Sequence, residues 1–236
     1  NPENKEIMGE FAECLEGIKE ACEFLDYPVV SGNVSFYNGT NKKNIYPTPV
    51  IGGVGLIQNL NKTLSHKFKK EKSIIVLIGK TFGHLEQSCF LKENFSLEEG
   101  NPPEINLLNE KNNGHTVLNL IKNNLLESAH DISSGGLITA LSEMSINSGI
   151  GVKIEKPKKL INLVAFLFGE DQGRYIIEVK KENVEKVKKI LEKNSNHYDL
   201  IGEVIGDNIS VNDEPTLSVD KLTEFNKDWL NNYMVN

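Results

Sequence analysis

Glycine and small polar residues stand between apolar and aromatic ones in residues 30–38, which read VSGNVSFYN. Gly32 lacks a Cβ and can take φ > 0, so that neighbouring N–H groups turn toward an anion. The side-chain carbonyl of Asn33 and the hydroxyl of Ser35 are hard oxygen ligands of the kind that magnesium takes. The segment therefore favours a site for a phosphate group or a metal ion. A tight turn satisfied by its own Asn and Ser side chains is the alternative that the spacing leaves open.

A second polar segment, residues 130–137 (HDISSGGL), falls where a predicted strand gives way to a helix. Free N–H groups and the positive end of a helix dipole make such a junction suitable for an anion, and Asp131 could hold a metal or orient a ligand. The alternative is structural: Ser133 or Ser134 caps the helix, while the two glycines pack closely on the sheet. The sequence leaves both interpretations open.

Two carboxylates, Glu170 and Asp171, stand beside Arg174 in residues 168–174 (FGEDQGR). Such a pair can bind Mg²⁺ or transfer protons. Because no companion histidine accompanies the pair, a salt-bridged turn is favoured. His84, in the segment GHLEQS, is interpreted as a packing residue at a helix start rather than as a general base.

The order of predicted elements indicates how these segments are positioned. Apolar residues at steps of three or four over residues 3–25 predict an amphipathic helix, with Asn1 as its N-cap. Strands are predicted at 29–30 and 50–57, and the run IIVLI at 74–78 predicts a buried strand. Further helices are predicted at 84–95, 114–124, 135–148, 158–167, 181–194 and 218–234, and further strands at 126–131, 151–155, 174–180, 199–205 and 208–211. An α/β sandwich with a mixed sheet accounts for this order, with a domain boundary near residue 68.

Composition excludes several classes of function. The chain has 236 residues and a net charge of −7, which argues against a nucleic-acid-binding surface of clustered Lys and Arg. No apolar run approaches the roughly 18 residues of a membrane-spanning helix, so no membrane partner is expected.

The three cysteines and five histidines form neither a disulfide framework nor a zinc signature, which predicts a cytoplasmic protein. Because the chain begins at Asn1 without an initiator methionine, we expect further sequence upstream.

Several motifs follow the order of one family along nearly the whole chain. They are NPE at the start, residues 30–38, PTPVIGGVG at 47–55, GHLEQS at 83–88, HDISSGGL at 130–137 and FGEDQGR at 168–174. In these the chain resembles the C-terminal half of phosphoribosylformylglycinamidine synthase, in the small bacterial form of its synthetase subunit. The resemblance implies the α/β (α+β) fold of the aminoimidazole ribonucleotide synthetase-like superfamily. Residues 1–67 would end the second barrel-forming, ATP-binding domain, and residues 68–236 would form the second C-terminal α/β sandwich domain.

The resemblance also implies an activity, cofactors and partners. The whole enzyme would be an ATP-dependent C–N ligase of purine biosynthesis that converts formylglycinamide ribonucleotide to the amidine through an iminophosphate. Ammonia would come from a glutaminase subunit, and a small accessory subunit would complete the complex. The implied cofactors are ATP and Mg²⁺: the position of Gly32 lies against ATP, that of Asn33 binds Mg²⁺, and that of Ser35 contacts the substrate. No catalytic residue is assigned here, because the family's active-site histidines belong to the upstream half of the polypeptide, and the segment alone is expected to be inactive.

Three positions depart from the residues that the family usually has. Gly39, Glu86 and Ser134 stand where Glu, Gly and an acidic residue are frequent, and the last two weaken a phosphate-binding or catalytic role of their segments. A second hypothesis is therefore a non-catalytic half that holds nucleotide and docks the other subunits. A sibling kinase or synthetase with another small substrate is a third, less favoured because it would begin with its own glycine-rich nucleotide loop.

Overall fold

The computed structural model describes residues 1–41, 43–158, 162–212 and 216–235. The chain divides into two compact units, Asn1–Gln58 and Asn59–Asn236. The first carries a long helix and a two-stranded ladder, and the second carries a seven-stranded sheet with helices. The assignment of residues 1–67 and 68–236 to two domains stays a prediction. Within the described residues, no helix combines the length and the apolar character needed to cross a membrane.

The main element of the first unit is helix α1, Lys5–Leu25. Its N-cap is Asn4, whose side chain accepts a hydrogen bond from the N–H of Glu6 at 3.0 Å. The prediction of Asn1 as the N-cap was wrong, because the side chain of Asn1 accepts from the N–H of Glu3 in the turn before the helix. The helix is therefore present as predicted, but a different asparagine fixes its start.

The rest of the first unit has little regular structure. Strands β1, Gly39–Thr40, and β2, Lys43–Asn44, pair antiparallel. The strands predicted at 29–30 and 50–57 are not formed in this described part of the chain. A strand exists only where its backbone groups have a ladder partner, and an apolar pattern alone does not supply one. Apolar side chains of residues 50–57 are exposed to solvent: Val50 is 90%, Val54 88% and Leu56 91% exposed.

The second unit is built on a mixed sheet. Its strands are β3 Ile74–Ile78, β4 Ser128–Ile132, β5 Val152–Ile154, β6 Arg174–Val179, β7 Tyr198–Val204, β8 Asn208–Val211 and β9 Leu217–Ser218. Its α-helices are α2 Cys89–Phe95, α3 Leu107–Lys122, α4 Gly136–Ile146, α5 Leu163–Phe168, α6 Val184–Lys193 and α7 Val219–Val235. The strand order is β4-β6-β3-β7-β5-β8-β9, and neighbours are antiparallel except for β5 with β8. The predicted α/β fold with a mixed sheet is confirmed.

Strand β3 lies inside the sheet, and its side chains alternate between two cores. On one face Ile75 and Leu77 pack in a cluster that includes residues of α4. On the other face Val76 and Ile78 pack in a cluster that includes residues of α3 and α6. All four side chains are at most 1% exposed, so the run was correctly predicted as a buried strand. Helices on both faces make the unit a sandwich.

Helix α5 begins at Leu163 rather than at 158, and residues 159–161 of that predicted helix lie outside the described part of the chain. Helices α3 and α2 also begin at other residues than predicted. Helix α3 begins at Leu107, not at 114, because Asn106 caps it by accepting from the N–H of Asn109 at 3.0 Å. Helix α2 begins at Cys89, not at 84, because Ser88 is its N-cap and the preceding residue is left-handed. Capping side chains, rather than the apolar period, set both starts.

Candidate functional site

Two of the three predicted site residues lie at a cleft in the first unit. The cleft has a volume of about 580 Å³ and is bounded by α1 and by residues 33–38 and 45–51. Asn33 and Ser35 line it, whereas Gly32 precedes Asn33 in the chain but is not among the lining residues. All three residues are exposed. The structure thus brings a carboxamide and a hydroxyl to one opening that a ligand can reach.

Gly32 does not provide the left-handed backbone of this loop. Its φ is not positive, and a Cβ on it would meet no described atom within 4 Å. The left-handed residue is Tyr37, with a φ of 60°. Neither the backbone conformation nor the neighbouring atoms therefore require glycine at this position, and the ATP-binding role of Gly32 stays a prediction.

Two contacts hold the loop that carries Asn33 and Ser35. The ring of Phe36 meets the ring of Phe11 on α1 edge to face, with centroids 5.6 Å apart and planes at 70°. Asn38 donates from Nδ2 to the carbonyl oxygen of Ser35 at 3.2 Å. The loop is therefore attached to the helix from one side and closed on itself from the other.

The donor set of this cleft fits Mg²⁺ as a partly hydrated ion. Mg²⁺ takes six oxygen ligands and keeps several waters, so that a protein often supplies only one or two of them. Asn33 offers one carboxamide oxygen, with the hydroxyl of Ser35 two residues further on. The described residues hold no group of three or more His, Cys, Asp or Glu that could bind a metal. An ion at Asn33 would thus depend on water and on a phosphate-bearing ligand for its other contacts.

In the second unit, Asp171 is a structural carboxylate. It is 4% exposed and accepts hydrogen bonds from three successive N–H groups, those of Phe82, Gly83 and His84, at 2.9 to 3.2 Å. Its Oδ2 lies 3.8 Å from Nη1 of the buried Arg174. Burial lowers the pKa of the Arg174 guanidinium, and the charge of Asp171 opposes that shift. The favoured interpretation of this segment as a salt-bridged turn is confirmed.

Glu170 lies where two helices begin. Its Oε1 accepts from the N–H of Cys89, the first residue of α2, and from the N–H of Gly135, the N-cap of α4, both at 2.8 Å. The N-cap of α4 is Gly135 and makes no side-chain cap hydrogen bond, so the alternative in which Ser133 or Ser134 caps this helix was wrong. The chain's own carboxylate stands at the position that the sequence favoured for an anion.

Close packing at this junction explains one of its glycines. A Cβ on Gly136 would come within 2.7 Å of the backbone carbon of Phe168, and its φ of 71° is left-handed. The predicted packing of the glycines on the sheet was wrong in its partner, because Gly136 instead lets α4 approach the end of α5, next to the segment that carries Glu170.

Replacing Glu170 with glutamine is expected to lower the free energy of unfolding by about 1–2 kcal/mol, because a charged acceptor binds helix N-termini more strongly than a neutral amide. The midpoint of thermal unfolding of the full-length protein would measure the change. Glu155→Gln, at an exposed carboxylate, is the matched control. Equal midpoints for the two variants would contradict the assigned role.

Asp131 belongs to a small cluster around His130. Nδ1 of His130 lies 3.2 Å from Oδ1 of Asp131, and Nε2 lies 2.9 Å from Oε2 of Glu143 on α4. The imidazole thus links β4 to α4. A metal-binding or ligand-orienting role of Asp131 stays a prediction.

A second cleft, which the sequence analysis missed, lies in the second unit. Its volume is about 610 Å³, and it is bounded by the end of β3, the first turns of α3, and residues 171–173 and 195–197. The missed signal is a polar stripe at helical spacing on α3: Asn106, Asn109, Glu110 and Asn113. His84 lines the same cleft, with Nε2 2.8 Å from the carbonyl oxygen of Asn101. The prediction of His84 as a helix-start residue was wrong, because α2 begins at Cys89.

Burial in this cleft raises the pKa of the Glu110 carboxyl. An acid whose pKa is raised by folding holds more protons in the folded state, so its contribution to stability falls as the pH rises through the raised value. Glu110→Gln is therefore expected to raise the unfolding midpoint at about pH 7 and to change it little at about pH 3.5, where the carboxyl is protonated. Unfolding curves of both proteins at the two pH values would measure this, and an equal difference at both would contradict it.

Two family models match the chain. The model described as "AIR synthase related protein, C-terminal domain" matches residues 70–213, which is more than half of the chain, and "AIR synthase related protein, N-terminal domain" matches residues 1–57. The chain belongs to the AIR synthase related family. The two matched domains correspond to the two kinds of α/β domain that the motifs implied.

Curated relatives in this family match nearly the whole chain. A protein of Pelagibacter ubique is 50% identical over 100% of the chain, and one of Bradyrhizobium diazoefficiens is 45% identical over 99%. Both are named "Phosphoribosylformylglycinamidine synthase subunit PurL". The chain spans about a third of their length, 32% of each. The family resemblance inferred from the motif order is confirmed, but the predicted extent of one half was wrong, because the chain matches about a third of each relative.

Solved structures agree on the fold of this family. Thermotoga maritima PurL complexed with ATP superimposes with a TM-score of 0.56 at 17% identity, over 70% of this chain and 28% of that one. The same protein complexed with FGAR gives 0.58 at 18% identity, over 70% and 30%. At this level of identity the likeness establishes the fold.

Proposed function

We propose that this chain is the C-terminal part of an ATP-dependent synthetase of purine biosynthesis, which converts formylglycinamide ribonucleotide to formylglycinamidine ribonucleotide. The observation that carries the proposal is the 50% identity with a PurL subunit over the whole chain. The Thermotoga maritima PurL complexes with ATP and with FGAR support a nucleotide and this substrate as ligands.

The residues at the cleft of the first unit suit a phosphoryl-transfer step. The formamide oxygen attacks the γ-phosphorus of ATP, ADP leaves, and ammonia then displaces phosphate from the iminophosphate carbon to give the amidine. Such transfer requires positioning and charge neutralisation more than covalent help from the protein. The open backbone at Gly32 approaches the phosphates, Asn33 holds Mg²⁺, which neutralises phosphate charge when bound, and Ser35 donates a hydrogen bond to the substrate.

Other parts of the same polypeptide complete the site. The chain is about a third as long as its relatives, and none of the described residues that line the cleft is a histidine. The exposed apolar side chains of residues 50–57 support pairing of this segment with the rest of the barrel, because such side chains are stable only when covered. A glutaminase subunit delivers ammonia and a small accessory subunit joins the complex in the cytoplasm. The 236-residue chain alone is then inactive.

A holding and docking role is the second candidate for the second unit. Backbone N–H groups engage Asp171 through both carboxylate oxygens and Glu170 through Oε1, which supports structural roles for the two carboxylates. This observation favours a unit that supports the synthetase and carries subunit contacts rather than one that performs chemistry.

Ammonia-driven conversion of formylglycinamide ribonucleotide with ATP and Mg²⁺ tests the proposal. The full-length protein, the 236-residue chain, and this chain mixed with the remaining upstream polypeptide would be compared. Activity of the full-length protein and of the mixture, but not of the chain alone, is the expected result. No amidine from the full-length protein would overturn the synthetase assignment, and activity of the chain alone would overturn the shared site.

A further inference from the structure

We propose that Phe11 is a positioning residue for the Asn33 and Ser35 side chains. The proposal rests on the proposed function of their cleft and goes beyond it by naming the contact that fixes the loop. Phe11 lies on α1, far from the loop in sequence, and is half-buried at the wall of the cleft.

The first argument is the geometry of the ring pair. Phe11 and Phe36 have centroids 5.6 Å apart and planes at 70°, which is the edge-to-face arrangement that aromatic pairs prefer. Phe36 directly follows Ser35 in the chain, so its ring attaches this point of the loop to a helix of five to six turns. Within the described residues of this unit, this is the ring contact that joins α1 to residues 33–38.

The second argument is backbone strain next to the pair. Tyr37 has a φ of 60°, a left-handed conformation that a bulky side chain rarely adopts. Such a conformation persists only where surrounding contacts hold it. The ring pair on one side of Tyr37 and the hydrogen bond from Asn38 to the carbonyl of Ser35 on the other side are those contacts.

These observations give Phe11 a role that its own chemistry does not suggest. Its hydrocarbon ring can neither bind a metal nor transfer a proton, yet it fixes the loop that carries the carboxamide proposed for Mg²⁺ and the hydroxyl proposed for the substrate. Loss of the ring releases Tyr37 toward ordinary φ values, and the direction of both side chains changes. The expected consequence is weaker use of Mg²⁺ and substrate rather than unfolding.

The test compares Phe11→Ala, Phe11→Leu and Phe11→Tyr in the full-length protein. Hydrogen exchange of the amides of residues 33–38 measures the loop without requiring activity. We expect about threefold to tenfold faster exchange in Phe11→Ala, the change that loss of one aromatic pair would give, and wild-type exchange in Phe11→Tyr. Phe11→Leu keeps apolar volume without the ring, so it gives the same test if Phe11→Ala does not fold. Leu25→Ala, at an apolar residue of α1 outside the cleft, is the control.

Kinetics provide the second readout. Phe11→Ala and Phe11→Leu are expected to need more Mg²⁺ for half-maximal rate and to raise KM for the ribonucleotide, with kcat at saturation changed less, while Phe11→Tyr restores both. Exchange and Mg²⁺ dependence equal to those of Leu25→Ala would overturn the positioning role. An inactive wild type would overturn the proposed function instead, and the exchange data would still decide whether Phe11 holds the loop.

Discussion

Asn33→Ala in the full-length protein is expected to lower the rate of amidine formation by about 100-fold, comparable to the loss of one preorganised electrostatic contact in other active sites. The carboxamide oxygen is the single hard ligand that this residue offers at the cleft, and alanine supplies none. Folding should persist, because Asn33 is exposed and no hydrogen bond from its side chain supports the described part of the unit. Steady-state rates over a range of Mg²⁺ concentrations would measure the loss.

Asn44→Ala is the matched control for this experiment. Asn44 is an exposed asparagine on β2 of the same unit, and it does not line the cleft. Its rate and Mg²⁺ dependence should equal those of the wild type. Unchanged turnover of Asn33→Ala at saturating Mg²⁺ would remove the metal role from this residue.

Asp171→Ala is expected to have the largest effect on stability, a loss of about 3–5 kcal/mol in the free energy of unfolding, as for other buried ion pairs from which one partner is removed. The substitution leaves the buried Arg174 without its carboxylate and three N–H groups without an acceptor. Urea unfolding of the full-length protein, followed by hydrogen exchange at residues 81–84, would localise the loss.

A second variant at Asp171 separates charge from hydrogen bonding, and a variant at Glu98 is the control. Asp171→Asn keeps one acceptor oxygen and should fall between the wild type and the alanine variant. Glu98→Gln breaks an exposed pair with Lys92 and should change stability little, because solvent screens that pair. If Asp171→Ala unfolded at the same urea concentration as Glu98→Gln, the carboxylate would not be the support that the structure indicates.

The two units have different proposed roles. In the first, Asn33 and Ser35 are exposed at a cleft and available to a ligand. In the second, Asp171 and Glu170 accept hydrogen bonds from N–H groups of distant segments, while Asp131 stays exposed beside His130. We therefore propose that ligand chemistry belongs to the first unit and that the second unit has a structural role.

The elements that the sequence predicted correctly are those with a local cause. The period of apolar residues along α1 and the continuous run in β3 depend only on neighbours in the chain, and both elements formed where expected. The Asn33 to Ser35 segment was found in the same way, from the donor chemistry of adjacent residues and from motif order. The family and the mixed α/β sandwich followed from these features.

The structure decided those features that depend on partners far away in sequence. The pattern at residues 50–57 could not become a strand in the described chain, because a strand requires a second segment. Glu170 could be assigned between two helix N-termini only once Cys89 and Gly135 were placed beside it. The sequence by itself thus determined the family and the fold class, and it predicted Gly32, Asn33 and Ser35 as ligand-binding groups. Tertiary structure decided which of the chain's polar groups stay free, because a polar group that is buried must find its hydrogen-bond partner wherever the fold brings one.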